Sequence, residues 1–331
     1  MNENEIRKAL EPLETLLSDE SVIEIMVDAP DRVIVERKGK LVDAGVRFES
    51  PEALRAAIDA VLTLGGTAFK PGQTVADVRL PDGSRALAVL PPTAVNNGPY
   101  LVMRKFWKTN LTMEKLIEFG AVTREAHALL QSAIHARLNI LVAGGTGSGK
   151  TTLMNLMTDD IPADERVIAV EEFFELHLRH PRAINLSADS APDLTYADLI
   201  STASKMRPDR LIFGELRGPE ATRILDIIGR GHDGAMMTMH ATSPEDALTR
   251  LEAMCLMANL GLGLGEIRNL IASGLNLIVH LQRLSNGSRR IMQIAELRGV
   301  DNDRFVIQPL MRYNRDTDTI EPTGAQPGWG G

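Results

Sequence analysis

The stretch Gly144-Gly145-Thr146-Gly147-Ser148-Gly149-Lys150-Thr151 matches the spacing G-x-x-x-x-G-K-[ST] in full. Residues of these types in this order suit the gripping of a phosphate chain. The glycines let backbone N–H groups converge on phosphate oxygens, the Lys150 ammonium reaches the β and γ phosphates, and the Thr151 hydroxyl can ligate Mg²⁺, with Thr152 following in a helix-like run. A nucleoside triphosphate with Mg²⁺ is therefore expected. The chain contains no Asn-Lys-x-Asp, the usual guanine-reading element, so the expected nucleotide is ATP.

Hydrolysis needs an oriented water, and carboxylates at strand ends are the candidates. Leu211-Ile212-Phe213 leads to Glu215, with Arg217 just beyond, and Val167-Ile168-Ala169-Val170 leads to Glu171 and Glu172. Ligands collect at the carboxyl ends of parallel strands, so Glu215 is expected beside the terminal phosphate, acting on the water directly or through the metal shell. Glu171 and Glu172 repeat the design on a neighbouring strand; spacing does not choose between them, and a solvated charge is the ordinary alternative. In Gly231-His232-Asp233-Gly234-Ala235-Met236-Met237-Thr238-Met239-His240 the run ends in a histidine that could sense the γ-phosphate. A lone strand-end histidine more often makes only a structural hydrogen bond.

Two patterns of elements must position these residues. In the first, Ile6, Leu10, Leu13 and Leu17 fall at helical spacing, and strands are expected at 22–27 and 32–37 around a turn at Lys38-Gly39-Lys40. Ser50 and Pro51 start a helix that Gly65-Gly66 ends, and short strands between Val75 and Lys105 turn at Pro81-Asp82-Gly83-Ser84 and close near Asn96-Asn97-Gly98-Pro99. Residues 1–107 thus read as a smaller α+β domain and 108–122 as a connecting linker. In the second pattern Thr123 caps a helix, and apolar strands at 138–143, 166–170, 211–213 and 235–239 alternate with helical stretches. That is the signature of an α/β domain with a mostly parallel sheet and helices on both faces, here residues 123–315. Runs at 276–281 and 290–295 read as an antiparallel pair, and 316–331, polar with proline and glycine, as a disordered tail.

The bulk numbers narrow the function classes. With 44% hydrophobic residues the chain can bury real cores, and a net charge of −8 argues against holding nucleic acid by a general basic surface. Arg104-Lys105-Phe106-Trp107-Lys108 is the one basic-aromatic stretch in favour of a nucleic-acid motor. A single cysteine, Cys255, rules out an internal disulfide framework, and the opening residues lack the form of a signal peptide. A cytoplasmic protein is expected.

With these segments quoted, the chain resembles the secretion-superfamily traffic ATPases of type II and type IV secretion and type IV pili. The phosphate loop GGTGSGKTT, the strand RPDRLIFGELRG, the acidic box VEEFFEL and the histidine box GHDGAMMTMHA stand in that family's order. Within the superfamily it is most similar to the CpaF group of Tad pilus ATPases, through SVIEIMVDAPDRVIVERKGKL, ADVRLPDGSRALAVLPP, LVMRKF, SPEDALTRLEAM and IVHLQRLSNGSRRIMQIAEL. The resemblance implies a RecA-like P-loop ATPase domain, a homo-hexameric ring, and work on a filament or secreted substrate through an inner-membrane platform protein. It implies a place at the inner face of the cytoplasmic membrane, peripheral and not inserted. It also implies that Lys150 and Thr151 hold phosphate and Mg²⁺, that Glu215 organises the water and contributes to the metal site, that Glu171, Glu172, His240 and His232 belong to the boxes, and that Arg217 contacts phosphate or links subunits. Arginines of the amino-terminal domain, here Arg79, Arg85 or Arg104, are expected at the nucleotide.

Three positions depart from the family pattern. Glu171-Glu172 stands where Glu-Asp is common, Ile228-Gly229-Arg230 lacks the usual small hydroxyl residue, and Leu186–Asp193 lacks an arginine that many relatives carry. A conjugative or type IV secretion ATPase, a RecA-type nucleic-acid motor and a non-hydrolysing nucleotide switch are the alternative readings.

Overall fold

The computed structural model describes residues 1–329 except 38–39, 95–97, 106–110 and 189–193, and the chain divides into two compact units, Met1–Asn110 and Leu111–Gly331. In the first unit, α1 (Glu3–Leu10) and α2 (Glu14–Ser18) precede β1 (Val22–Ala29), β2 (Arg32–Arg37) and β3 (Lys40–Asp43). Then come α3 (Pro51–Leu64), β4 (Val75–Arg79), β5 (Arg85–Val89) and β6 (Tyr100–Arg104). Among the described residues the strands form one antiparallel sheet in the order β3-β2-β1-β6-β5-β4. Ser50 caps α3 by accepting the Ala53 N–H with Pro51 in the first turn, and the Leu54, Ala57, Ile58, Val61 stripe packs on Ile25, Val27, Val35 and Met103.

The second unit opens with α4 (Met113–Glu118) and α5 (Arg124–His135), followed by β7 (Ile140–Gly144), α6 (Lys150–Met157), β8 (Val167–Glu171) and β9 (Ala183–Ser187). It continues with α7 (Tyr196–Lys205), β10 (Arg210–Leu216), α8 (Glu220–Gly229), β11 (Met236–Met239), α9 (Pro244–Met257) and α10 (Leu264–Gly274), and ends with β12 (Leu277–Arg283), β13 (Arg289–Asp301), β14 (Arg304–Asn314) and β15 (Thr319–Pro322). The sheet order is β15-β14-β13-β12-β7-β11-β10-β8-β9, parallel from β12 through β9 and antiparallel from β12 through β15. β7 and β8 are buried along their whole length, because helices cover both faces. Alternation sends Ile140, Val142 and Ile212 toward α5 and α6, and Leu141, Ala143 and Phe213 toward α7 to α10.

Three expectations are corrected here. Residues 316–329 of the expected tail are ordered: β15 pairs with β14, Ile320 is buried, and the Trp329 indole donates to Ser132 Oγ at 3.1 Å. Proline and glycine imitate disorder in composition, yet Thr319-Ile320-Glu321 alternates as a strand needs. From Leu111 onward the expected linker belongs to the second unit, since Met113 and Val122 are buried with Leu130 and Ile140; residues 108–110 lie outside the described set. Strands β9 and β14 were not expected. β14 contains Pro309, which argues against a strand, and the structure sets it at a register shift between Ile294↔Met311 and Ala295↔Pro309. Phe106–Lys108 of the basic-aromatic stretch, the turn residues 38–39 and 96–97, and residues 189–193 also lie outside the described residues.

Candidate functional site

β7 delivers the glycine-rich loop into the middle of the sheet's carboxyl edge, between β12 and β11. A Cβ on Gly144 would stand 2.5 Å from the Leu281 carbonyl oxygen and 2.6 Å from Ser148 Oγ, so the neighbouring strand and the loop's own return admit only glycine. Gly149 takes φ +98° and ends the loop as the residue before α6. Lys150, the first residue of α6, is buried, and its ammonium donates to the Gly144 and Gly145 carbonyls, each at 3.1 Å. Burial lowers its pKa, opposed by the charges of Glu215 and Glu175. The first turn of α6 has backbone N–H groups without intrahelical acceptors, the arrangement that favours an anion.

Glu215 reaches this face because β10 carries a bulge. The register with β11 slips between Phe213↔Met237 and Glu215↔Thr238, so Phe213 and Leu216, three residues apart, pack into the same core. Regular alternation would have sent Glu215 into that core with Phe213; the slip at Gly214 turns it to the side of α6. Thr238 Oγ1 holds the bulge by donating to the Gly214 carbonyl at 3.2 Å. His240, two residues beyond Thr238, meets Glu215 with Nε2 2.7 Å from Oε1. Burial lowers the His240 pKa, the Lys150 charge lowers it further, and Glu215 opposes both. On the other carboxylate oxygen of Glu215, Arg217 Nη2 donates at 2.7 Å; Arg217 Nη1 lies 3.7 Å from Glu172, and the guanidinium stands over the Phe173 ring at 5.9 Å.

The two acidic-box glutamates separate by environment. Glu171 is buried, and its carboxylate accepts the backbone N–H groups of Glu175 at 3.0 Å and Leu176 at 2.9 Å, which fixes the turn after β8. Glu172 is exposed and meets the site only through Arg217. A third carboxylate, Glu175, was missed: its Oε2 is 3.5 Å from Thr151 Oγ1. The signal was present in VEEFFEL, where Glu175 follows Glu171 by one turn of chain. Arg289, on the returning strand of the β12–β13 hairpin, was missed as well; its Nε donates to the Gly147 carbonyl at 2.9 Å.

His232 does not join them. It precedes β11, whose register with β7 runs Met236↔Ile140 to Met239↔Ala143, so it sits at the amino edge of the sheet, opposite the loop. There Nδ1 lies 3.1 Å from the Ile227 carbonyl at the end of α8. In the first unit Arg79↔Arg85 and Arg85↔Arg104 are direct cross-strand pairs, so the three candidate arginines line one face of β4, β5 and β6. Asp77 takes Arg85 in a two-pronged pair at 2.9 and 2.7 Å.

Among the described residues no group of three His, Cys, Asp or Glu could hold a metal alone. The donors that do converge, the Thr151 hydroxyl with the Glu175 and Glu215 carboxylates nearby, are hard oxygens too few for a metal cage. They fit Mg²⁺ carried on phosphate oxygens and water.

Residues 7–314 match the family model described as type II/IV secretion system protein. A protein of Mycobacterium tuberculosis described as a putative conjugal transfer protein is 34% identical over 297 residues, covering 86% of this chain and 84% of that one. The type IV secretion system protein VirB11 of Brucella suis is 30% identical over 311 residues, covering 82% and 84%. In fold, the chain is similar to the pilus retraction motor PilT solved with bound ADP, with a TM-score of 0.62 at 18% identity over 88% of this chain and 81% of that one.

Proposed function

The chain belongs to the type II/IV secretion system protein family, and from that premise we propose that it is a Mg²⁺-dependent motor ATPase whose hydrolysis cycle drives domain motion within a homo-hexameric ring. The observation that supports it best is the convergence of Lys150, Thr151, Glu175 and Glu215 at the amino end of α6, with Glu215 turned there by the bulge at Gly214.

In this reading Lys150 exchanges the Gly144 and Gly145 carbonyls for β and γ oxygens of ATP. Glu215 orients the attacking water, and His240, neutral near pH 7, holds the direction of that carboxylate through Nε2. Thr151, with the Glu175 and Glu215 carboxylates nearby, would hold Mg²⁺, which would supply neutralisation of phosphate charge. Glu171 acts beneath the site, by holding the turn that presents Glu175. Arg217 links Glu215 to Glu172 and is displaced toward phosphate or a neighbouring subunit as charge changes. Arg79, Arg85 and Arg104, side by side on one face of the sheet, are the proposed guanidinium donors from the first unit.

The ring's partner is proposed to be an inner-membrane platform protein, with the chain at the cytoplasmic face; among the described residues no helix is long and apolar enough to cross a membrane. A Tad-like pilus is one proposed load. The names of the relatives support a second, a conjugative or type IV secretion apparatus, equally well. Pilin and platform genes beside this one favour the first, and relaxase and coupling-protein genes the second. The test of the shared claim is Mg²⁺-dependent phosphate release abolished by Lys150→Ala, with a six-subunit mass by light scattering. A fully active monomer refutes the motor.

A further inference from the structure

The pairing of β12 with β7 ends at Leu281↔Gly144, where the phosphate loop begins, but β12 runs on to Arg283 and the chain returns as β13 from Arg289. The hairpin therefore stands alongside the loop, and its last cross-strand pair is Arg283↔Arg289, two side chains on one face. Arg289 bonds to the loop, and Arg283 stands close beside it. Arg289 Nε donates to the Gly147 carbonyl at 2.9 Å, and its Cδ lies 3.3 Å from where a Cβ of Gly149 would stand. Arg283 Nη1 lies 3.6 Å from the corresponding point on Gly147. The two loop glycines are called for by their φ of +69° and +98°, and the arginines pack beside them. Arg290, facing the other way, anchors the hairpin from behind through Asp318 at 2.8 Å and the Phe119 carbonyl at 3.2 Å.

Like charges directly opposed across an antiparallel pair repel, and an anion on the face that the two arginines share reverses that repulsion. We propose that Arg283 and Arg289 are nucleotide-binding residues, so that the β12–β13 hairpin forms one wall of the triphosphate site. This rests on the ATP reading above and extends it to the hairpin, beyond the residues of the phosphate loop. A guanidinium carries five N–H donors, so one can hold a backbone carbonyl and a phosphate oxygen together. Arg289 is also a positioning residue, because its bond fixes the peptide plane between Gly147 and Ser148.

The test is calorimetric binding of ADP and of inorganic pyrophosphate to the full chain and to Arg283→Gln, Arg289→Gln, Arg283→Lys and Arg289→Lys, with thermal unfolding of each. Loss of one charge-assisted contact predicts affinity weakened about tenfold to a hundredfold for both probes in the Gln variants, at unchanged melting temperature. Arg283→Lys restores most of the loss, and Arg289→Lys only part, because lysine cannot reproduce the fork that holds Gly147. If Arg289→Gln does not fold, Arg289→Lys carries the comparison, with a several-fold loss expected. Wild-type affinity in the folded Arg283 and Arg289 variants, beside a wild type that binds and a Lys150→Ala that does not, overturns the hairpin assignment alone. A wild type that binds neither probe overturns the ATP reading and the assignment with it.

Discussion

Gly144 and Gly145 are adjacent and look equivalent in the motif, yet the structure predicts opposite outcomes for replacing them with alanine. A Cβ on Gly144 would lie 2.5 Å from the Leu281 carbonyl oxygen and 2.6 Å from Ser148 Oγ, whereas one on Gly145 would meet nothing within 4 Å. Ordinary contact begins near 3.4 Å, so Gly144→Ala must push β7 and β12 apart by close to an ångström at their last rung, Leu281↔Gly144. Backbone of a buried parallel pair cannot give that cheaply, and overpacking of this kind costs about 1–3 kcal/mol. For a unit of this size that is roughly 2–4 °C of melting temperature per kcal/mol. Gly145 has no positive φ, so alanine there changes stability by less than about 1 kcal/mol, and by restricting the unfolded chain it can even stabilise. Thermal unfolding of both variants, with ADP affinity measured alongside, is the assay. Equal melting temperatures, or a larger loss for Gly145→Ala, would refute the claim that β12 fixes the loop's first residue.

Other outcomes follow from the same geometry. Glu171→Ala strips the acceptor from the Glu175 and Leu176 N–H groups, so urea unfolding should show a loss of about 1–3 kcal/mol for each group left unsatisfied, whereas Glu172→Ala should be within about 1 kcal/mol of wild type. Ile320→Ala should cost about 2–5 kcal/mol if β15 is part of the core, and nothing if the tail were loose. Burial holds the folded pKa of both His240 and His280 below the unfolded value of 6.5. The unfolded chain therefore binds more protons as pH falls, and their contribution, present above pH 6.5, is lost on acidification through 6.5 toward the folded values. Urea midpoints should drop between pH 7.5 and 5.5, and His280→Gln should flatten part of that drop.

The parts of the fold carried by local pattern were legible before any coordinates. Thr123, Ser50 and Ser243 cap their helices by accepting the N–H three residues on, and the strand-to-loop-to-helix order around Lys150 needed only apolar runs and glycines. What stayed hidden depended on register. The slip at Gly214 that turns Glu215 to α6 leaves no trace in hydrophobic alternation, and the choice between Glu171 and Glu172 is made by a turn whose backbone N–H groups fold back on Glu171. His232 and His240 stand in one histidine box, yet four strand residues carry them to opposite edges of the sheet. Arg289 is 142 residues from the Gly147 carbonyl that it holds, a proximity that only the β7–β12 pairing creates.

Central to the account is that Glu215 acts on the water and not on nucleotide capture. Single-turnover hydrolysis of ATP by Glu215→Gln, measured with ATP affinity on the same preparation, tests this directly. The isosteric amide keeps the bulge at Gly214 and the Lys150 cradle, so affinity should stay within a few-fold of wild type while the hydrolysis rate falls by about a hundredfold or more. Hydrolysis at the wild-type rate, or a loss confined to binding, would contradict it.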